Sequence, residues 1–219
     1  MTKISIAEEL QGTIKIAALN FSGLNCQRKN TGLWNEIEEV ANSYRAQFPE
    51  PSAATKALKP ARQLYHSIGM EPTRHRPSSE ALLRRAIKGK PLYQINSIVD
   101  VSNLCSLKFL LPIGLYDVAK ISGAVWLRKG KTGEEYPGIR KEMIHVADRY
   151  TLADDLGPFG NPSADSLRTS ITLKTRDVLL VIFAPFNYPD DIFKHHVEET
   201  EKTMLNYHQG VLSNKAIIK

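Results

Sequence analysis

The sequence predicts an α+β fold in a single domain spanning residues 1–219. Three observations carry that expectation. Helical periodicity dominates the first half. Short β-prone runs punctuated by glycine dominate the second, and one amphipathic helix follows near the end. Helices and strands thus segregate along the chain instead of alternating, which argues against a doubly wound parallel sheet. With 42% apolar residues, 13 glycines and 12 prolines, collagen-like, low-complexity and wholly disordered classes are excluded. A chain of this length buries a sizeable core without covalent staples.

Residues 13–19 (TIKIAAL) alternate weakly and suit a strand, and the polar stretch 20–32 suits a loop. Residues 33–48 place apolar side chains at 33, 37, 40, 41, 44 and 48, which is helical spacing. Pro49 and Pro51 stop that helix, and 53–68 is a second helical stretch interrupted by Pro60. Two prolines bracket EPTRHRP (71–77), so it is irregular or extended. A short helix over 78–88 follows, capped by Ser78 or Ser79, with Glu80 in its first turn and Gly89 past its end. In the helix over 96–109, Ile98, Val101, Leu104 and Cys105 share one face and Asn96, Asp100 and Asn103 the other. Strands are expected over 124–128, 143–147, 169–174 and 178–183. A last helix runs from Asp190 to His208, and the tail from Val211 is an edge segment.

The net charge of +6 suits a phosphate-bearing partner without demanding one. Cys26 and Cys105 form no C-x-x-C pair, which fits two buried thiols in a reducing compartment. Glu8 and Glu9 come too early for a signal peptide, and the longest apolar run, 178–186, is far shorter than the about 20 residues of a membrane span. The expectation is a soluble cytoplasmic protein with no membrane partner. His195 and His196 point about 100° apart on a helix and cannot chelate one ion together, so no metal site is expected.

Three clusters could carry chemistry. Arg74, Arg76, Arg84, Arg85, Lys88 and Lys90 face the single acid Glu80 over residues 74–90. Such a patch could neutralise backbone phosphates, although a solvated helix face is the plainer reading. The proline-stiffened Arg74 and Arg76 fit either a binding role or a buried ion pair. The second cluster is the polar stripe Asn96, Asp100, Asn103 and Ser106 with the following turn to Asp117, which caps the next turn or orients Arg128. The third runs from Asp148 to Thr172. Gly157, Pro158, Gly160 and Pro162 form a loop there, and Asp165, Ser166, Arg168, Thr169 and Ser170 lead on from it. Loops on rigid strands are where pockets are built; a surface loop with Asx turns is the alternative.

Four ordered motifs carry a family resemblance. They are N-x-x-V-D-x-x-N (Asn96, Val99, Asp100, Asn103), L-P-I-G-x-Y-D (Leu111 to Asp117), R-x-G-x-x-G-E (Arg128, Gly130, Gly133, Glu134) and D-S-x-R-T (Asp165, Ser166, Arg168, Thr169). Over about residues 70–190 the chain resembles the B3/B4 domain of the phenylalanyl-tRNA synthetase beta subunit, in its free-standing form. The resemblance implies a β-sandwich-like core with flanking helices. It also implies cofactor-free hydrolysis of the ester of a mischarged aminoacyl-tRNA, with tRNA as partner. The family histidine of the turn is replaced by Gly114, and the family's loop glutamate has no counterpart between Gly157 and Asp165.

On this reading Asp165, Glu134 and Asn103 are the catalytic candidates. Arg74, Arg76, Asp117, Arg128, Gly157, Gly160, Ser166, Arg168 and Thr169 are expected to bind the substrate. Arg84, Arg85 and Lys88 would meet tRNA phosphates. Asn103, Asp117, Glu134 and Asp165 are expected to converge on one recess. A non-catalytic RNA-binding module and a pocket for a free amino acid remain as alternatives.

Overall fold

The computed structural model describes residues 2–140 and 142–219. Its strands are β1 (Ile4–Ile6), β2 (Ile14–Ser22), β3 (Ile113–Asp117), β4 (Val125–Lys129), β5 (Glu135–Pro137), β6 (Met143–His145), β7 (Tyr150–Asp154), β8 (Gly157–Gly160), β9 (Val178–Pro185) and β10 (Val211–Ile218). Its α-helices are α1 (Thr31–Gln47), α2 (Lys59–His66), α3 (Ser78–Ile87), α4 (Ser97–Phe109) and α5 (Asp190–Tyr207). The fold is α+β.

One sheet has the order β10-β2-β9-β3 and is antiparallel throughout. The other has the order β1-β4-β7-β8, with β1 and β4 parallel. A β5-β6 hairpin stands apart from both. Strand β9 reads as an unbroken apolar run because both its faces are buried. Leu179, Val181 and Phe183 pack toward the second sheet with Ile16, Tyr116, Leu127, Leu152 and Phe159. Val178, Leu180 and Ile182 pack the opposite way, against Ile98, Val101 and Leu104 of α4 and Phe193 and Val197 of α5. The layers are therefore sheet, sheet and helices. Burial of each such aliphatic side chain contributes about 1.5–3 kcal/mol.

Asn30 caps α1 by accepting from Leu33 N at 3.0 Å, and Asn96 caps α4 by accepting from Val99 N at 3.1 Å. Helix α3 differs from expectation. Pro77 holds its N-cap position and Ser78 and Ser79 lie inside the first turn. The run 169–174 is not a strand: Thr172 and Thr175 close a local turn, and Thr175 Oγ1 donates to Asp117 Oδ2 at 2.7 Å. The loop expected from residue 20 begins later, because β2 continues to Ser22. Among the described residues, no helix is long and apolar enough to cross a membrane.

Candidate functional site

Strand β3 is the outer strand of its sheet, and the segment following β8 covers its open edge. Asp117 N donates to Thr169 O at 2.9 Å, and Leu115 N reaches Asp165 Oδ2 at 3.4 Å. This satisfies backbone groups that an exposed edge would leave unpaired. The segment begins with an Asx turn, in which Asn161 Oδ1 accepts from Ser163 N and Ala164 N. Asn161 Nδ2 donates to the Tyr136 hydroxyl at 2.9 Å, and that hydroxyl donates to Ala164 O at 2.7 Å. Tyr65 Oη and Ser163 Oγ lie 2.5 Å apart, tying α2 to the same turn.

Asp165 ends the turn. Its carboxyl accepts from the Tyr116 hydroxyl at 2.7 Å. Loss of hydration pushes its pKa up to about 7, against the opposing pull of the Tyr116 and Leu115 hydrogen bonds. The residue as a whole is half-buried, while both carboxyl oxygens accept hydrogen bonds within the fold.

Tyr116 is fully buried and packs edge-on against Phe159, with ring centroids 4.9 Å apart. Two glycines make room for it. A β-carbon at Gly114 would lie 2.1 Å from the Tyr116 hydroxyl oxygen, and one at Gly160 would lie 2.3 Å from it. The requirement is steric, because neither glycine has a positive φ. Gly114 stands where the resemblance implies a histidine, and the Tyr116 side chain takes the space a histidine there would need.

The expected convergence does not occur. Glu134 forms a two-pronged ion pair with Arg128, both bonds at 2.7 Å, and accepts from Lys131 N, which closes the β4-β5 connection. Arg128 holds the Glu134 carboxyl below its usual pKa. Arg168 grips Asp154 at 2.8 and 2.9 Å and donates to Gly157 O at 3.4 Å. Gly157, with φ of 107°, therefore belongs to the pinned β7-β8 hairpin and not to an open loop. Asp117 caps a short turn through Ala119 N, while Ser166 Oγ accepts from Thr169 N at 3.3 Å. Asn103 lies half-buried on α4. Among the described residues, no hydrogen bond or ion pair links Asn103, Asp117 or Glu134 to Asp165. Asp165 alone of the three catalytic candidates joins the Tyr116 cluster.

The basic segment also divides. Glu80, 1% exposed, accepts two bonds of 2.8 Å from Arg62 and one of 2.7 Å from Arg84, with Arg76 at 3.6 Å. Burial alone would raise its pKa, but Arg62 and Arg84 outweigh that and hold it down. Arg76 and Arg84 are thus partly committed within the fold. Arg85 donates to Pro91 O and lies 4.1 Å over the Tyr93 ring, with Arg140 5.5 Å from the same ring. Lys88 and Arg74 are exposed, with no carboxylate within 4.0 Å among the described residues.

Sequence reasoning missed Tyr116, Tyr136 and Arg149. Only Gly114-x-Tyr116 carried a readable signal, since positions two apart on a strand share a face. Arg149 precedes β7 half-buried, beside Tyr65, Tyr150, Asn161 and Ser163.

Two packed sheets with helices on one outer face, and a covered edge strand carrying the Tyr116–Asp165 pair, define an α+β protein with a sandwich core. The chain belongs to the B3/4 domain family, whose profile matches residues 60–195. It is 29% identical over 158 residues to the phenylalanine–tRNA ligase beta subunit of Novosphingobium aromaticivorans, covering 68% of this chain and 19% of that protein. With the corresponding subunit of Chromobacterium violaceum it shares 27% identity over 109 residues, covering 48% and 14%. The chain thus spans less than a fifth of these curated relatives. An N-terminal fragment of the phenylalanyl-tRNA synthetase beta subunit from Pyrococcus horikoshii aligns with a TM-score of 0.46 at 13% identity, covering 94% of this chain and 48% of that one.

Proposed function

We propose that the protein hydrolyses the ester of mischarged aminoacyl-tRNA in trans, with Asp165 as general base. The carrying observation is the Asp165 carboxyl, raised toward neutrality by burial and held by the Tyr116 hydroxyl. A base matched to the working pH is what a water-activating group requires. Membership of the B3/4 family supports the choice of aminoacyl-tRNA as substrate class.

The reaction needs only water, because the aminoacyl ester is already activated. Water attacks the carbonyl carbon and gives its proton to Asp165. The bond to the ribose oxygen breaks, and that oxygen leaves with the proton. Free amino acid and uncharged tRNA result. Lys88, Arg74 and Arg85 meet backbone phosphates. On this reading the protein works beside translation, in the cytoplasm.

A panel of mischarged tRNAs tests the proposal. Ester loss above the spontaneous rate on at least one member, abolished by Asp165→Asn, is expected. No loss on any member overturns it. A second reading, tRNA binding without turnover, draws support from Tyr116, which takes the space beside Gly114. It predicts salt-sensitive binding and an inert panel.

A further inference from the structure

Four half-buried arginines in this molecule have a carboxylate partner at 2.7–2.9 Å: Arg62 and Arg84 on Glu80, Arg128 on Glu134, and Arg168 on Asp154. Arg85 and Arg149 are half-buried as well, yet no carboxylate among the described residues lies within 4.0 Å of either; Arg85 instead donates to Pro91 O and stacks on Tyr93, whereas Arg149 has no side-chain hydrogen bond among the described residues. Its guanidinium is permanently charged. Burial lowers its pKa, and the Tyr65 and Tyr136 phenols only partly oppose that. A partly desolvated cation without a counter-ion costs stability, and an arriving anion removes that cost.

The surroundings add charge of the same sign. Arg74 and Arg149 both bear on His75, lowering its pKa along with burial. The exposed Arg74 has no carboxylate partner among the described residues either. Beside Arg149 lies a crevice of about 10 Å³, walled by Tyr65, Met70, Asn161 and Ser163. That volume admits no more than about one water, so an amino acid cannot enter. The anion must rest at the mouth, against Arg149. The Asx turn at Asn161–Ala164 then leads directly to Asp165.

We propose that Arg149, at the crevice walled by Asn161 and Ser163, forms a phosphate site that anchors the backbone of the RNA 3′ end beside the Asp165 segment. The identity of the anion rests on the aminoacyl-tRNA reading. The esterified amino acid has no free carboxylate to offer, whereas the adjoining nucleotides carry a phosphodiester each.

The test measures binding of an uncharged acceptor-stem RNA ending in CCA, from 50 to 200 mM salt, and so is independent of turnover. Arg149→Met is expected to weaken binding about fivefold and to reduce the slope of log affinity against log salt by about one, with Arg149→Lys restoring the slope. In the unaltered protein, the RNA is expected to protect Arg149 from phenylglyoxal, read by mass spectrometry, whereas inorganic phosphate at equal phosphate concentration is not. An unchanged slope in Arg149→Met, or modification of Arg149 unaffected by RNA, overturns the inference. RNA held through Arg149 with no ester cleaved overturns the hydrolytic reading alone. Ester cleaved by Arg149→Met with unaltered KM and RNA binding overturns this inference alone.

Discussion

The Tyr116 hydroxyl donates to Asp165 Oδ1 at 2.7 Å, joining the outer strand of one sheet to the segment that leaves the other. This bond orients a carboxyl with a raised pKa, and it fixes a ring that only glycine tolerates at positions 114 and 160.

The glycine requirement predicts a coupled pair. Gly114→Ala is expected to cost about 1–3 kcal/mol by overpacking against Tyr116. In a Tyr116→Ala background the same change should cost less than about 0.5 kcal/mol. A double-mutant cycle from urea unfolding measures the coupling.

Asp165 predicts a pH dependence with a definite sign. Its folded pKa, about 7, lies above its unfolded value. Its contribution to stability is complete below about pH 4 and is lost as the pH rises through about 7. Asp165→Asn is expected to flatten that part of the profile in thermal unfolding. If Asp165 is the base, kcat/KM rises with pH and levels off above about 7, because only the ionised carboxylate accepts the proton.

Glu80 predicts the opposite dependence. Its folded pKa lies below the usual carboxylate value. Its contribution is therefore present above about pH 4.3 and lost as the pH falls through the folded value. Glu80→Gln leaves Arg62, Arg76 and Arg84 without their shared anion and is expected to cost about 3 kcal/mol at pH 7, measured by denaturant unfolding.

Arg85 and Lys88 test phosphate binding by the basic segment. Reversing Arg84 would set an acid against buried Glu80, so its effect on binding is confounded by stability. Arg85→Glu with Lys88→Glu avoids that contact. The pair is expected to cost about 1–2 kcal/mol, through the Arg85 bond to Pro91 O and its stack on Tyr93, while weakening tRNA binding and lowering its salt slope by about two.

Much of the fold was legible. Strand β9 announced itself because a strand buried on both faces must be apolar throughout. Helix α4 did so through its apolar face, Ile98, Val101, Leu104 and Cys105. Strand β1 was not legible, since three residues carry no periodicity and it exists only by pairing with β4, over a hundred residues away. Strands β7 and β8 were hidden by the glycines and prolines of their hairpin. Residues 169–174 gave the converse error, because their β-branched side chains bond locally and the pairing with β3 at Thr169 O does not continue as a ladder.

By itself the sequence determined the α+β class, the family and the short list of polar groups that could act. These follow from local periodicity and ordered motifs, which depend on neighbours along the chain. Only the tertiary structure decided which groups are already spent on one another. Glu134 went to Arg128, Asp154 to Arg168 and Glu80 to three arginines, whereas Asp165 kept a raised pKa and Arg149 found no carboxylate among the described residues. The physical reason is that ionic pairing and desolvation act over a few ångströms of space, between residues whose separation in sequence carries no information about their distance.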